Sequence, residues 1–308
     1  MYSLIIPVYK NAKFIPELLE SIDKINTIFK NKLEVVFVID GNPENEFEIL
    51  KEQLKKYSFK SQLIAHSRNF GSFAAIKTGF ENATGDYFSI MAADMQEPPE
   101  LVVKIFEKLS ENKSNIVIGN RIGRKDKKIN SLFSNLFWKI YKKYIQKDIP
   151  KGGVDIFGCD KTVRNTLINL KESNSSLVGL LYWIGFKKEY LDYTRIKRKY
   201  GESAWNFKRK FKYMIDSIFA FSDLPIKILI NLGLIGISVS VILSLIVLIS
   251  KLIGSIVVPG YTATLLIVSF FSSINLLCFG IVGLYIWRAF ENTKNRPNTI
   301  IMDKITYN

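Results

Sequence analysis

A Rossmann-like α/β domain followed by two membrane-crossing helices is the architecture this sequence predicts, and three observations carry it. Short β-rich runs alternate with helix-spaced segments through the first 120 residues. Two stretches, 228–250 and 252–287, contain no Asp, Glu, Lys, Arg or His. Much of the basic excess behind the net charge of +15 crowds ahead of those stretches.

Leu4–Val8, Leu33–Ile39, Gln62–Ser67, Tyr87–Met91 and Asn115–Gly119 have the length and β-branched content of strands. Between them, Phe14–Phe29, Glu44–Tyr57, Phe73–Asn82 and Glu100–Ser110 repeat their apolar residues at helical spacing. This alternation predicts a mostly parallel sheet with helices on both faces. Ligands of such sheets bind beyond the carboxyl ends of the strands. The loops after Val8, Ile39, Ser67 and Met91 are therefore where function is expected. Residues 1–225 are expected to form this domain in the cytoplasm, because Met1-Tyr2-Ser3-Leu4-Ile5-Ile6 already reads as a strand and lacks the pattern of a secretory leader.

Each charge-free stretch exceeds the ~20 helical residues that cross a ~30 Å hydrocarbon core. The spans are placed at Ile228–Ser250 and, after the Pro259-Gly260 breaker, at Tyr261–Trp287. Lys251 is the only charge between them, whereas Lys208–Lys212 and Lys227 precede them and Arg288, Lys294 and Arg296 follow. The positive-inside rule then puts both flanks in the cytoplasm, giving a hairpin over 226–290 and a cytoplasmic tail over 291–308 in the inner membrane. Tyr285 and Trp287 sit where interface anchors belong. Gly233, Gly236, Ser240, Gly280 and Gly283 permit close helix contacts, within a chain or in an expected homo-oligomer.

Residues 131–146 form an amphipathic helix with Leu132, Phe133, Leu136, Phe137, Ile140 and Tyr144 on its apolar side; it suits either the membrane interface or ordinary core packing. A further helix, Phe207–Phe221, leads through Asp223-Leu224-Pro225 into the first span. The basic clusters at 121–151 and 195–212 stand next to a membrane segment, where each such residue gains about 1 kcal/mol near anionic head groups. They point to a membrane surface or an anionic substrate, and nucleic acid is excluded as a partner. Cys159 and Cys278 lie in different parts of the chain, so no disulfide framework is expected. His66, the single histidine, ends a strand and reads as structural. A zinc site, a His-activated nucleophile and a P-loop all lack their residues.

Four strings can carry chemistry. Leu4-Ile5-Ile6-Pro7-Val8-Tyr9-Lys10-Asn11 runs from a strand into a helix start, a good place for a nucleotide. Asp40 in Ile39-Asp40-Gly41-Asn42 can hold a base or ribose, or form a turn. Ser67-Arg68-Asn69-Phe70-Gly71 puts a cation at a helix start, which opposes the helix dipole unless an anion sits nearby. Asp94 and Gln96, in Ala92-Ala93-Asp94-Met95-Gln96-Glu97-Pro98-Pro99, can ligate a divalent cation; Mg²⁺ commonly takes one or two carboxylates plus substrate phosphates.

In order and spacing these strings, with Val257-Val258-Pro259-Gly260 between the spans, resemble the family 2 glycosyltransferases. The resemblance is to the polyprenyl-phosphate branch related to dolichol-phosphate mannose synthase and the bacterial undecaprenyl-phosphate glucosyltransferases, and it covers nearly the whole chain. It implies a GT-A fold, a nucleotide-sugar donor, a divalent cation (Mg²⁺ or Mn²⁺), a polyprenyl-phosphate acceptor, and a flippase downstream toward cell-surface polysaccharide. It implies donor contacts at Pro7, Tyr9, Asp40, Asn42, Arg68, Asn69, Gly71, Lys77 and Asp94. Asp94 and Gln96 are the implied metal ligands, and Asp94 and Asp155 the implied catalytic pair. Asp155, in Gly152-Gly153-Val154-Asp155, would orient acceptor or donor sugar, or act as a base. Arg121, Arg124, Arg195, Arg198 and Ser203 are the candidates for the acceptor phosphate. Lys199-Tyr200-Gly201-Glu202-Ser203-Ala204-Trp205 resembles the family's mobile loop, expected to close over the donor.

Two departures stand out. Ile39-Asp40 replaces the usual paired aspartates, and Ala92-Ala93-Asp94 replaces Asp-x-Asp, removing one carboxylate. The expected activity is transfer of a sugar, UDP-linked, to undecaprenyl phosphate at the cytoplasmic face. A glycan acceptor and a non-catalytic relic with a depleted metal site are the alternatives.

Overall fold

The computed structural model describes residues 1–42, 44–123, 142, 149–150, 153–170, 172, 176–200, 215–253, 260–294 and 296–307. The chain divides into two compact units, Met1–Met214 with Arg296–Asn308, and Ile215–Asn295. The amphipathic stretch 131–146 except Lys142, Arg124, Gly152, Ser203 with the rest of 201–214, and residues 254–259 lie outside the described residues.

The first unit is built on an eight-stranded sheet. Its strands are β1 (Tyr2–Val8), β2 (Leu33–Ile39), β3 (Lys60–His66), β4 (Tyr87–Ile90), β5 (Ile116–Gly123), β6 (Phe157–Asp160), β7 (Lys188–Thr194) and β8 (Ile301–Tyr307). The spatial order is β7-β5-β6-β4-β1-β2-β3-β8. β2 is buried along its whole length, as expected of a strand covered on both faces. Helices α1 (Ile15–Ile28), α2 (Glu46–Gln53), α3 (Ser72–Asn82) and α4 (Pro99–Ser110) link the parallel strands, and α5 (Lys161–Asn169) and α6 (Leu177–Trp183) follow β6. Pro16 and Pro99 sit in the first turns of α1 and α4, where a missing N–H costs nothing. Asp160 and Ser176 cap α5 and α6, accepting from the Val163 and Gly179 amides.

Strand direction decides where the loops gather. β1 pairs in parallel with β2 and β4, and β2 with β3. β6 runs antiparallel to β4 and β5, and β7 parallel to β5. The ends of β1–β5 and β7 therefore share one edge with the start of β6. At the opposite edge Glu34 is buried, and burial alone would raise its pKa. Hydrogen bonds from Thr84, Ser3 and Gln62 outweigh that and hold the carboxylate below its usual range.

Residues 291–308, expected as a tail, divide instead. The last long helix runs to Thr293, and Ile301–Tyr307 forms β8, antiparallel to β3. Tyr307 donates to the Lys51 carbonyl and Lys304 to Asn82. The physical reason is that β3 would otherwise present an open edge of backbone donors and acceptors.

The second unit contains a short helix, Ile215–Phe221, followed by α7 (Leu224–Leu252) and α8 (Tyr261–Thr293). At 1.5 Å per residue the long helices reach about 44 and 50 Å. Their described apolar side chains face outward, with Leu276 and Phe279 among the most exposed. By length and composition, one stretch among the described residues is fit to cross a membrane, Phe270–Thr293. Ile215–Phe221 and Leu224–Gly236 pass only as a pair bent by 81°. The span expected at Ile228–Ser250 lies within α7, and the one expected at Tyr261–Trp287 lies within α8.

Gly158 in β6 faces α4, and a Cβ there would meet the Phe88 carbonyl oxygen at 2.8 Å and Ile105 Cγ2 at 2.3 Å. Gly158→Ala is expected to cost about 1–3 kcal/mol through overpacking, read as a lower unfolding midpoint in detergent; an unchanged midpoint would show that this layer can shift.

Candidate active site

Loops from β1, β2 and β3 build one half of the shared edge. Asp40, 2% exposed, ends β2 and holds the loop after β3. Its carboxylate accepts the Phe70 and Gly71 amides, each at 2.8 Å, and faces His66 Nδ1 at 3.0 Å. Its carbonyl accepts from Asn69 Nδ2. Asp40, expected to contact a base or ribose, also anchors the loop through these contacts. Gly41, with φ of +76°, lets the loops approach; a Cβ there would lie 2.8 Å from the Asn69 nitrogen. Arg68 stacks on the Phe70 ring at 4.2 Å.

Other expected donor residues divide between edge and support. Pro7 and Tyr9 lie at the end of β1 and are half-buried. Asn42 Oδ1 accepts the Phe47 amide and so secures the start of α2. Lys77 Nζ donates to the Leu170 carbonyl, which ties α3 to the segment after α5.

The other half of the edge is ionic. Arg121, from β5, meets Asp155 Oδ2 at 2.6 Å, and the Tyr193 hydroxyl donates to the same oxygen at 2.9 Å. Arg195, just past β7, donates to Gln96 Oε1 at 2.8 Å and lies 3.6 Å from Glu97 and 4.0 Å from Asp155. Arg198 approaches Asp94 Oδ2 at 3.7 Å. The Gln96 carbonyl accepts the Ile196 amide and Gln96 Nε2 reaches the Ile196 carbonyl, so the β4 loop and the segment after β7 are clasped together. A cavity of about 180 Å³ opens beside Asp94, with Met95, Ile196, Lys197 and Lys199 in its lining.

Two members of this cluster were not singled out in the sequence. Glu97 is 1% exposed, and its Oε2 has no hydrogen-bond partner among the described residues. Burial pushes its pKa up to about 8 against the pull of Arg195. Burial and the neighbouring Asp155 and Glu97 also push the Tyr193 phenol upward, so its hydroxyl keeps the proton it donates. Burial opposes charge on Arg195, but the surrounding carboxylates, Asp155 foremost, raise its pKa. At neutral pH the cluster holds three guanidinium groups against the carboxylates Asp94 and Asp155. Tyr193 is the one buried position of β7, two residues before Arg195, and only the fold reveals that burial.

Residues 3–169 match the family described as Glycosyl transferase family 2. The chain belongs to that family. The putative glycosyltransferase CsbB of Bacillus subtilis (strain 168) is 32% identical over 98% of this chain and 92% of its own length. The bactoprenol glucosyl transferase of Shigella phage SfX is 25% identical over 98% of this chain and 99% of its own. Among solved structures, mannosyl-3-phosphoglycerate synthase from Rubrobacter xylanophilus superposes with a TM-score of 0.51 at 12% identity, over 71% of this chain and 72% of that one. The fold is GT-A, with a mixed, mostly parallel sheet, and the protein is a glycosyltransferase.

The glycosyltransferase edge fits a divalent cation in a restricted way. Gln96 Oε1 is occupied by Arg195, and no group of three or more His, Cys, Asp or Glu side chains converges among the described residues. Asp94, with Arg198 at 3.7 Å, would then offer a cation one carboxylate, a number that suits an ion completed by substrate phosphates and water.

Glu97 makes stability depend on pH. Its ordinary value is 4.5 and its folded value about 8, so between them the folded protein holds the extra proton. Stability should therefore fall as pH rises through that window. Unfolding midpoints across it should slope downward in the native protein and flatten in Glu97→Gln; equal slopes would remove Glu97 as the source.

Proposed function

We propose that this glycosyltransferase moves a sugar from a nucleotide diphosphate donor to a polyprenyl phosphate at the cytoplasmic face of the membrane. The observation that carries the reading is the cluster of Arg121, Arg195 and Arg198 around Asp94 and Asp155 at one sheet edge. Three fixed cations against two carboxylates suit two phosphate groups that repel each other. Relatives named for bactoprenol, such as the SfX enzyme, support the lipid acceptor.

The donor is placed against the ends of β1–β4, with Pro7, Tyr9, Arg68, Asn69 and Gly71 around it and Asp40 and Asn42 holding those loops. Asp94 would hold the cation, with Gln96 joining only if Arg195 releases it. When bound, the cation supplies positive charge to the departing diphosphate. The acceptor phosphate has a second pKa of about 6, so its oxygen is already nucleophilic at neutral pH. That oxygen attacks the anomeric carbon, the bond from sugar to diphosphate breaks, and the nucleoside diphosphate leaves with its electron pair. No proton has to be removed, and a strong base is not needed. Asp155, already accepting from Arg121 and Tyr193, therefore orients the cations and the sugar. Arg195 and Arg198 meet the acceptor phosphate, and the loop from Lys199 to Trp205 excludes water, since hydrolysis competes.

The apolar unit anchors this chemistry at the lipid surface as two spans, α7 and α8. Its two ends, at Ile215 and Asn295, both lead along the chain to residues of the sheet unit, which supports a pair of spans over a single one. The basic flanks agree. Anchoring raises the effective concentration of a lipid acceptor.

Detergent-purified protein, undecaprenyl phosphate, and a panel of UDP- and GDP-sugars with Mg²⁺ or Mn²⁺ are expected to yield one glycosyl-phosphate lipid, detected by mass spectrometry and lost with a chelator. Turnover with a saccharide acceptor alone would replace the lipid reading. Asp94→Asn should lower transfer about 100-fold or more with unfolding unchanged; near-normal turnover would remove Asp94 from the metal role. Arg198→Ala should raise the lipid KM roughly 10-fold; an effect confined to the donor would reverse the assignment of sides.

A further inference from the structure

Strand β8 enters the sheet at the edge that carries the donor loops. It runs antiparallel to β3 and sets Ile301 opposite His66, with a register shift there. The Ile300 carbonyl accepts the Ser67 amide at 3.0 Å, directly before Arg68 and Asn69. Beside this contact a chain of side chains runs inward. Thr299 Oγ1 lies 3.0 Å from Thr78 Oγ1 on α3, Thr78 Oγ1 lies 3.0 Å from His66 Nε2, and His66 Nδ1 lies 3.0 Å from Asp40 Oδ1. Asp40 then takes the Phe70 and Gly71 amides.

Donor and acceptor chemistry gives this chain a direction. The Asp40 carboxylate accepts, so His66 Nδ1 donates to it, and in the Nδ1–H tautomer Nε2 accepts. Thr78 therefore donates to His66, and its oxygen is left to accept from Thr299. In this tautomer the protons of Thr299, Thr78 and His66 point inward to Asp40, which takes the Phe70 and Gly71 N–H protons from the other side, an arrangement in which successive bonds polarise one another. Thr78, His66 and Asp40 are 1%, 1% and 2% exposed, so water does not replace a lost link.

We infer that Thr299 is a positioning residue for donor binding, holding the Arg68–Gly71 loop in place through Thr78, His66 and Asp40. The segment that follows the apolar helices thereby sets the geometry of the nucleotide site. The inference rests on the donor-loop reading above. None of the relay side chains touches the reacting groups; they act through the two loop amides.

Thr299→Val keeps size and branching, leaves the Ile300 carbonyl in place and removes the hydroxyl; Thr299→Ser restores it. In the full-length protein in detergent, Thr299→Val is expected to accelerate amide hydrogen exchange at Phe70 and Gly71 while the β8 amides Ile305 and Tyr307 stay protected. UDP affinity should fall and donor KM rise roughly 2- to 10-fold, the worth of one hydrogen bond. The lipid KM should be unchanged, and Thr299→Ser should recover both readouts. Unchanged exchange at Phe70 and Gly71 would overturn the inference whatever the kinetics. Loss of β8 protection, or a rise in donor and lipid KM together, would also overturn it in favour of a general structural role. Faster loop exchange with unchanged UDP affinity would instead refute the donor-loop reading.

Discussion

Four parallel strands, β1 to β4, end at one edge of the sheet, and β6, running against β4, begins there. That polarity is the constraint on which the active site rests. It brings Asp94 from one end of a strand next to Asp155 from the start of another, although 60 residues separate them. β5 and β7 then deliver Arg121 and Arg195 to the same place. Backbone amides and carbonyls of the strands are satisfied by the ladder, so the loops at this edge are free to serve ligands.

The ionic cluster at that edge is balanced by burial as much as by charge. Glu97 is so far from water that it keeps its proton to about pH 8. Its neutrality leaves Arg195 drawn chiefly to Asp155 and Gln96, and leaves the cluster with positive charge in excess. Such an excess costs stability when the site is empty and is relieved when an anion enters. The donor half is arranged differently. There Asp40 gives its carboxylate to two backbone amides and so fixes the loop.

Much of the fold was legible because strands and helices repeat with different periods. Leu33–Ile39 is a strand at the expected limits, and the first four helices begin within three residues of where the pattern puts them. β8 was not legible: Ile301–Tyr307 follows a long apolar helix and carries charges at Asp303 and Lys304, so it reads as a polar tail until a partner edge is supplied. Glu97 hid in the motif shared with Asp94 and Gln96, since nothing in a string of residues tells which carboxyl will be desolvated. The bond from Lys77 to the Leu170 carbonyl, a contact across 93 residues, was equally hidden.

The sequence by itself determined the periodicities, the apolar lengths and the order of the motifs, because these are local properties of the chain. From them followed the α/β class, the two long apolar helices and the family. Tertiary structure alone decided which carboxylates are free and which are spent, and which cation faces which anion. It also decided that the last strand closes the edge beside the donor loop. Those outcomes depend on distance and burial between residues far apart in the chain, and both are set only when the sheet assembles.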